Sequence, residues 1–107
     1  MSGIDDLGKA HENKFAHDSD LEFKAHARRN KLVGLWAAGL MGLEGSAAEA
    51  YAKEVVIADL EEKGEEDVFR KLRQDLDAKN VEISDHRIRR QMDDLLAAAR
   101  EQIHNDG

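Results

Sequence analysis

At 107 residues the chain has room for one domain with one modest core. It has neither Cys nor Pro, which excludes disulfides and thiolate metal sites and leaves no helix to be broken by a proline ring. A net charge of −7 argues against nucleic-acid binding, which needs a basic face for the phosphates, and the longest uncharged run, residues 32–43, falls far short of the ~20 apolar residues of a membrane span.

Residues 1–18 are the least committed stretch. Ile4, Leu7, His11 and Phe15 follow one another at helical spacing and form a thin apolar stripe. Gly3, Gly8 and Asn13 weaken it, each by up to ~1 kcal/mol, and an isolated helix this short is marginal in water. The expectation is a flexible arm that becomes helical against a surface. It lacks the apolar run of a secretory signal and carries acids too early for a transit peptide, so a cytoplasmic, soluble chain is expected.

The first firm helix is expected from Ser19 or Asp20 to Met41, opened by the capping box Ser19–Glu22 and stopped by Gly42. Leu21, Ala25, Arg28, Leu32, Leu35 with Trp36, and Leu40 trace its expected buried face. A second helix starts after Gly45 with Ser46 and Glu49 as its capping box, buries Ala48, Tyr51, Ala52, Val55 and Ala58, and ends at Gly64. A third begins in the acids Glu65–Asp67, which suit a helix N-terminus. It buries Val68, Phe69, Leu72 and Leu76 and stops at Asn80. Ser84 caps a fourth, whose stripe is Ile88, Met92, Leu95, Leu96, Ala99 and Ile103. No segment alternates with period two. The fold class expected is all-α, a four-helix bundle (residues 19–107) with a flexible N-terminal arm (residues 1–18).

Charge is distributed unevenly. Residues 1–20 carry a net −3, residues 21–43 a net +3 and residues 44–67 a net −7, so the first two bundle helices are expected to attract as neighbours. The cluster Arg28, Arg29 and Lys31 has two readings: a solvated face paired to the acidic second helix, or a site for a nucleotide phosphate or acidic partner. No Gly-rich loop ending in Lys-Ser/Thr is present to cradle a nucleotide. The five His show no HExxH spacing and no Ser/His/Asp set can be assembled, so neither a metal nor a catalytic role is expected and the chain reads as a non-enzyme. His11 and His17 read as solvent-facing, or as pH-sensitive contacts at a partner surface. Trp36 is expected in the core; Phe15, in the arm, is open between core residue and docking anchor.

KFAHD (14–18), Leu21, Phe23 and Lys24, RRNKL (28–32) with GLWAA (34–38), YAKEVV (51–56) with Ala58 and Asp59, DVFRK (67–71), and Ile83 with Ser84 together resemble the ATPase inhibitor family of ζ subunits of α-proteobacterial F1Fo-ATP synthases. The likeness spans nearly the whole chain and departs mainly in the first ten residues and at GLEGS (42–46). It implies a bundle fold and a small regulator that binds the F1 sector and blocks ATP hydrolysis. It also implies that the N-terminal arm is the inhibitory element, becoming helical in a catalytic α/β interface and reaching toward the central γ shaft. Ile4, Leu7, Lys9, His11, Lys14, Phe15 and His17 are then the expected partner contacts. No cofactor is expected, and location would be cytoplasmic, at the inner membrane through F1. An adenine-nucleotide-responsive bundle, with ATP or ADP near Arg28, Arg29 and Lys31, is the alternative that the resemblance also suggests.

Overall fold

A computed structural model describes the backbone of residues 2–61 and 65–106 and the side chains of residues 20–60 and 65–105. Four helices account for the described fold: α1 (Ser2–Leu40), α2 (Gly45–Glu61), α3 (Glu65–Ala78) and α4 (Asp85–Asp106). No strand occurs among the described residues, and none of their helices is long and apolar enough to cross a membrane. Gly64, expected to end the second helix, lies outside the described residues.

The helix ends follow local chemistry. α1 closes in a Schellman motif: the Leu43 N–H donates to the Ala38 carbonyl at 2.8 Å and the Gly42 N–H to the Gly39 carbonyl at 3.1 Å. Gly42 sits at φ +79°, a left-handed conformation that costs glycine nothing. α3 ends the same way, with Val81 N–H on the Leu76 carbonyl, Asn80 N–H on the Asp77 carbonyl, and Asn80 at φ +59°. The Ser84 Oγ accepts from the Arg87 N–H at 3.1 Å and caps α4. Ser46 forms no such cap among the described residues; α2 instead opens at Gly45, with the Ala47 N–H donating to the Glu44 carbonyl. The expected start of the first bundle helix at Ser19 or Asp20 is also revised, because α1 runs unbroken from Ser2. With no Pro in the chain, Ser19 and the neighbouring acids lower helix propensity by only about 0.5 kcal/mol each, too little to force a break.

The main core joins Val33, Ala37 and Ala38 of α1, Tyr51 and Val55 of α2, Val68, Leu72 and Leu76 of α3, and Ile88 and Met92 of α4. The stripes expected for α2, α3 and α4 are buried or half-buried. Trp36 and Phe69 lie half-buried against this core rather than inside it. The face of α1 differs from expectation. Its buried residues are Ala25, Arg29, Asn30, Val33, Gly34, Ala37 and Ala38, while Arg28, Leu32 and Leu35 flank them and Leu40 is exposed. Small residues win the centre of this face because α1 and α2 approach too closely for large ones. A Cβ built on Gly34 would stand 2.7 Å from the Ala52 Cα and 3.3 Å from Val55 Cγ2.

A second, smaller cluster holds Ala25, Leu96 and Ile103 with Leu21 packed on it, where the last turns of α4 meet α1. Arg29 and Asn30, each 1% exposed, come next along α1, before the main core begins at Val33. The Arg29 Nε donates to Asn30 Oδ1 at 2.8 Å, and Glu65 Oε1 at the start of α3 stands 3.6 Å from Arg29 Nη1. Among the described residues, Arg29 Nη1 and Asn30 Nδ2 have no hydrogen-bond acceptor.

The helix junctions carry further ion pairs. Arg73 of α3 binds Asp77, the Ile83 carbonyl (2.7 Å) and Asp85 (3.0 Å), so one guanidinium ties the α3–α4 connection together. Tyr51 donates to Asp75 at 2.8 Å, and Lys71, 3.1 Å from the same carboxylate, lies over the Tyr51 ring. Burial, then the bond to Asp75, pushes the Tyr51 phenol well above its ordinary value.

Gly34→Ala tests the close approach. Overpacking against backbone costs ~1–3 kcal/mol, and the better helix propensity of Ala returns at most about 1 kcal/mol. A lower melting temperature is therefore expected. Gly39→Ala meets open space and is expected to leave the melting temperature unchanged or raise it. Equal effects of the two in thermal melts would remove the close approach as the explanation.

Candidate functional site

The sequence points to two candidate regions, the arm and the basic cluster. The backbone of the arm belongs to α1. The side chains of Ile4, Leu7, Lys9, His11, Lys14, Phe15 and His17 lie outside the described residues.

The three basic residues are separated by the helix they share. Arg29 is buried and faces Asn30 and Glu65. It is neither a solvated residue nor accessible to a phosphate, and its acidic neighbour lies on α3 rather than α2. Arg28, half-buried, donates to the Gln102 Oε1 of α4 at 2.9 Å. Lys31 is exposed and borders a groove of about 510 Å3 between α1 and α2, whose other walls include Glu49, Ala52, Lys53 and Val56. Consecutive residues point about 100° apart on a helix, and that alone divides the cluster among three surroundings. Among the described residues no group of His, Asp and Glu is arranged to hold a metal ion.

The structure adds a feature that single-helix patterns do not show: the root of the arm is clasped by α4. Arg100 makes a two-pronged pair with Glu22, Nη2 to Oε1 at 2.7 Å and Nε to Oε2 at 3.0 Å, and the Arg28–Gln102 bond lies close by. Leu21 and Ala25 supply the apolar part of the same junction with Leu96 and Ile103. The last turns of α4 thus hold α1 immediately after the arm ends. Both members of the Glu22–Arg100 pair are about half-exposed, so the clasp positions α1 more than it stabilises the fold.

A second feature escaped the sequence patterns. Phe23 is 56% exposed, Leu60 54% and Ile57 43%, all toward the end of the bundle from which the arm extends. Phe23 falls outside the stripe traced by Leu21 and Ala25, which is the one sequence signal of its exposure.

The hydrogen bonds from Arg100 hold the Glu22 carboxyl below its ordinary value. A carboxyl depressed in the folded state contributes its stability above the ordinary carboxylate range and loses it as pH falls through the depressed value. NMR titration is expected to show Glu22 ionising below the ordinary range, and Arg100→Gln is expected to return it there. Arg100→Gln should also lessen the fall in melting temperature between pH 5 and pH 3; an unchanged Glu22 titration in this variant would show that the pair does not form in solution.

Comparison with known proteins places the chain in a family. A comparison with curated proteins finds no match. A solved chain described as "Solution NMR structure of the protein" is 47% identical, with a TM-score of 0.71, over 81% of this chain and 99% of its own. The model of the family ATPase inhibitor subunit zeta matches residues 1–102, covering the arm, α1 to α3 and most of α4. The chain therefore belongs to the ATPase inhibitor subunit zeta family, a non-enzymatic regulator of the F1 sector of ATP synthase.

Proposed function

We propose that the chain inhibits ATP hydrolysis by inserting residues 1–18 into a catalytic α/β interface of F1, with the tip directed toward the γ shaft. One observation carries this reading: α1 is a single helix that passes from the core through the α4 clasp into the arm. An arm rooted in this way transmits load to the bundle, as a wedge in a rotary motor must. Ile4, Leu7 and Phe15 supply apolar contacts, and Lys9 and Lys14 meet acidic side chains of the partner. His11 and His17 lie along the same segment. The arm is marginal as a helix by itself, and the contacts it gains in the cleft hold it in helical form and offset its ordering cost. The bundle, residues 19–107, remains outside the cleft. On this reading the protein acts in the cytoplasm, at the inner membrane through F1.

The nucleotide-responsive alternative retains one of its three cations at an open surface, Lys31, beside Lys53 in the α1–α2 groove. ATP or ADP bound there would shift the amide resonances around Lys31, Glu49 and Lys53. Their constancy at millimolar nucleotide would remove this reading.

Steady-state ATPase measurements on the matching F1 test the arm. The full chain is expected to inhibit. Deletion of residues 1–18, and the double substitution Ile4→Asp with Leu7→Asp, are expected to lower inhibition at least about tenfold, because charge is introduced at apolar anchors. Far-UV circular dichroism should show the bundle still helical in both. Full inhibition by the deletion variant would refute insertion of the arm.

A further inference from the structure

The described side chains include four exposed large hydrophobic residues, and three of them gather toward one end of the bundle. Phe23, Ile57 and Leu60 lie toward the end from which the arm extends, whereas Leu40 lies at the other. Single exposed apolar residues are normal, but a group at one place is informative. α1 and α2 run antiparallel through the contact of Gly34 with Ala52. Phe23 precedes Gly34 by three helical turns on the same face and so reaches the level at which α2 ends. Ile57 and Leu60 lie one turn apart on the outward side of α2, beside the half-buried Val56. From Val56 the α1–α2 groove continues away from the arm, with Lys31 and Lys53 on its walls.

The geometry points to a second docking surface for F1, resting on the reading of the arm given above: Phe23, Val56, Ile57 and Leu60 seat against the outside of the partner, next to the cleft that receives the arm. Two arguments select this occupant. The first is continuity. Residue 18 precedes Phe23 by five positions, about 7–8 Å along a helix, so a body that encloses the arm up to residue 18 meets Phe23 next. The second is charge. In a chain of net charge −7 this side is balanced, with the exposed lysines Lys24, Lys31 and Lys53 set against the exposed carboxylates Asp20, Glu49 and Glu54. The complementary surface is an apolar side-chain cluster with charges of both signs at its border. The patch then adds affinity and fixes how the bundle sits, while the arm blocks the motor.

Titrations of the matching F1 with full-length variants test this, read as the half-saturating concentration and the inhibition at saturation. Phe23→Ser with Leu60→Ser is expected to raise the half-saturating concentration about tenfold or more, at unchanged inhibition on saturation and unchanged melting temperature. If that variant folds poorly, Ile57→Lys alone is expected to act in the same direction. Lys31→Glu with Lys53→Glu is expected to raise it too and to reduce its dependence on salt. Leu40→Ser, at the far end, is the control and should change nothing. An unchanged half-saturating concentration in the apolar variants overturns the proposal. So does sedimentation equilibrium that shows a dimer of the parent chain dispersed by Phe23→Ser with Leu60→Ser, because the patch would then be a self-contact. The arm is judged separately by Ile4→Asp with Leu7→Asp: full inhibition by that variant, with weakened affinity in the patch variants, would reject the arm and keep the patch.

Discussion

The arrangement of this protein depends on the contact of α1 with α2 at Gly34 and Ala52. A glycine facing an alanine lets two backbones approach more closely than large side chains allow, and the Cβ missing from Gly34 is the space that the Ala52 backbone occupies. Once that distance is fixed, Val33, Ala37 and Ala38 lie at the centre of the bundle with Val55, and Trp36 is left at its margin. The same contact sets the register of α2, bringing its last residues level with Phe23 at the arm end.

The buried polar pair Arg29 and Asn30 divides α1 into two parts with different tasks. After it, α1 belongs to the main core; before it, α1 is held by the small cluster around Ala25 and Ile103 and by the Glu22–Arg100 clasp. A fully buried guanidinium with one side-chain acceptor and a carboxylate at 3.6 Å is a costly arrangement, since its desolvation is only partly offset. A hydrophobic residue would pack there with less penalty. The pair's one charged neighbour among the described residues, Glu65, lies at the start of α3, and the arm continues from the other end of the same helix.

Much of this was legible in the sequence. The stripes at three- and four-residue spacing identify the buried faces of α2, α3 and α4, and Gly42, Asn80 and Ser84 act at the helix ends where their chemistry places them. The face of α1 was not legible in the same way. Weight given to large side chains selects Arg28, Leu32 and Leu40, whereas close packing selects Ala25, Gly34, Ala37 and Ala38, and a periodicity cannot tell which neighbour will come close. The burial of Arg29 was hidden for the same reason, because Arg is rarely found fully buried. The capping box Ser19–Glu22 signals a helix start that the structure passes through, since a cap signal is a local preference that a continuing helix overrides. The family was readable from RRNKL and GLWAA, and the match over residues 1–102 agrees with it. The clasp and the Phe23 patch are products of the third dimension.

The central claim is that one helix links a bundle outside F1 to an arm inside it. Electron cryomicroscopy of the matching F1 trapped with this protein during ATP hydrolysis tests it most directly. The account predicts helical density for residues 1–18 within a catalytic α/β interface, continuous with α1 and with the bundle on the outer surface. Density for the bundle with all catalytic interfaces empty of the arm would contradict it.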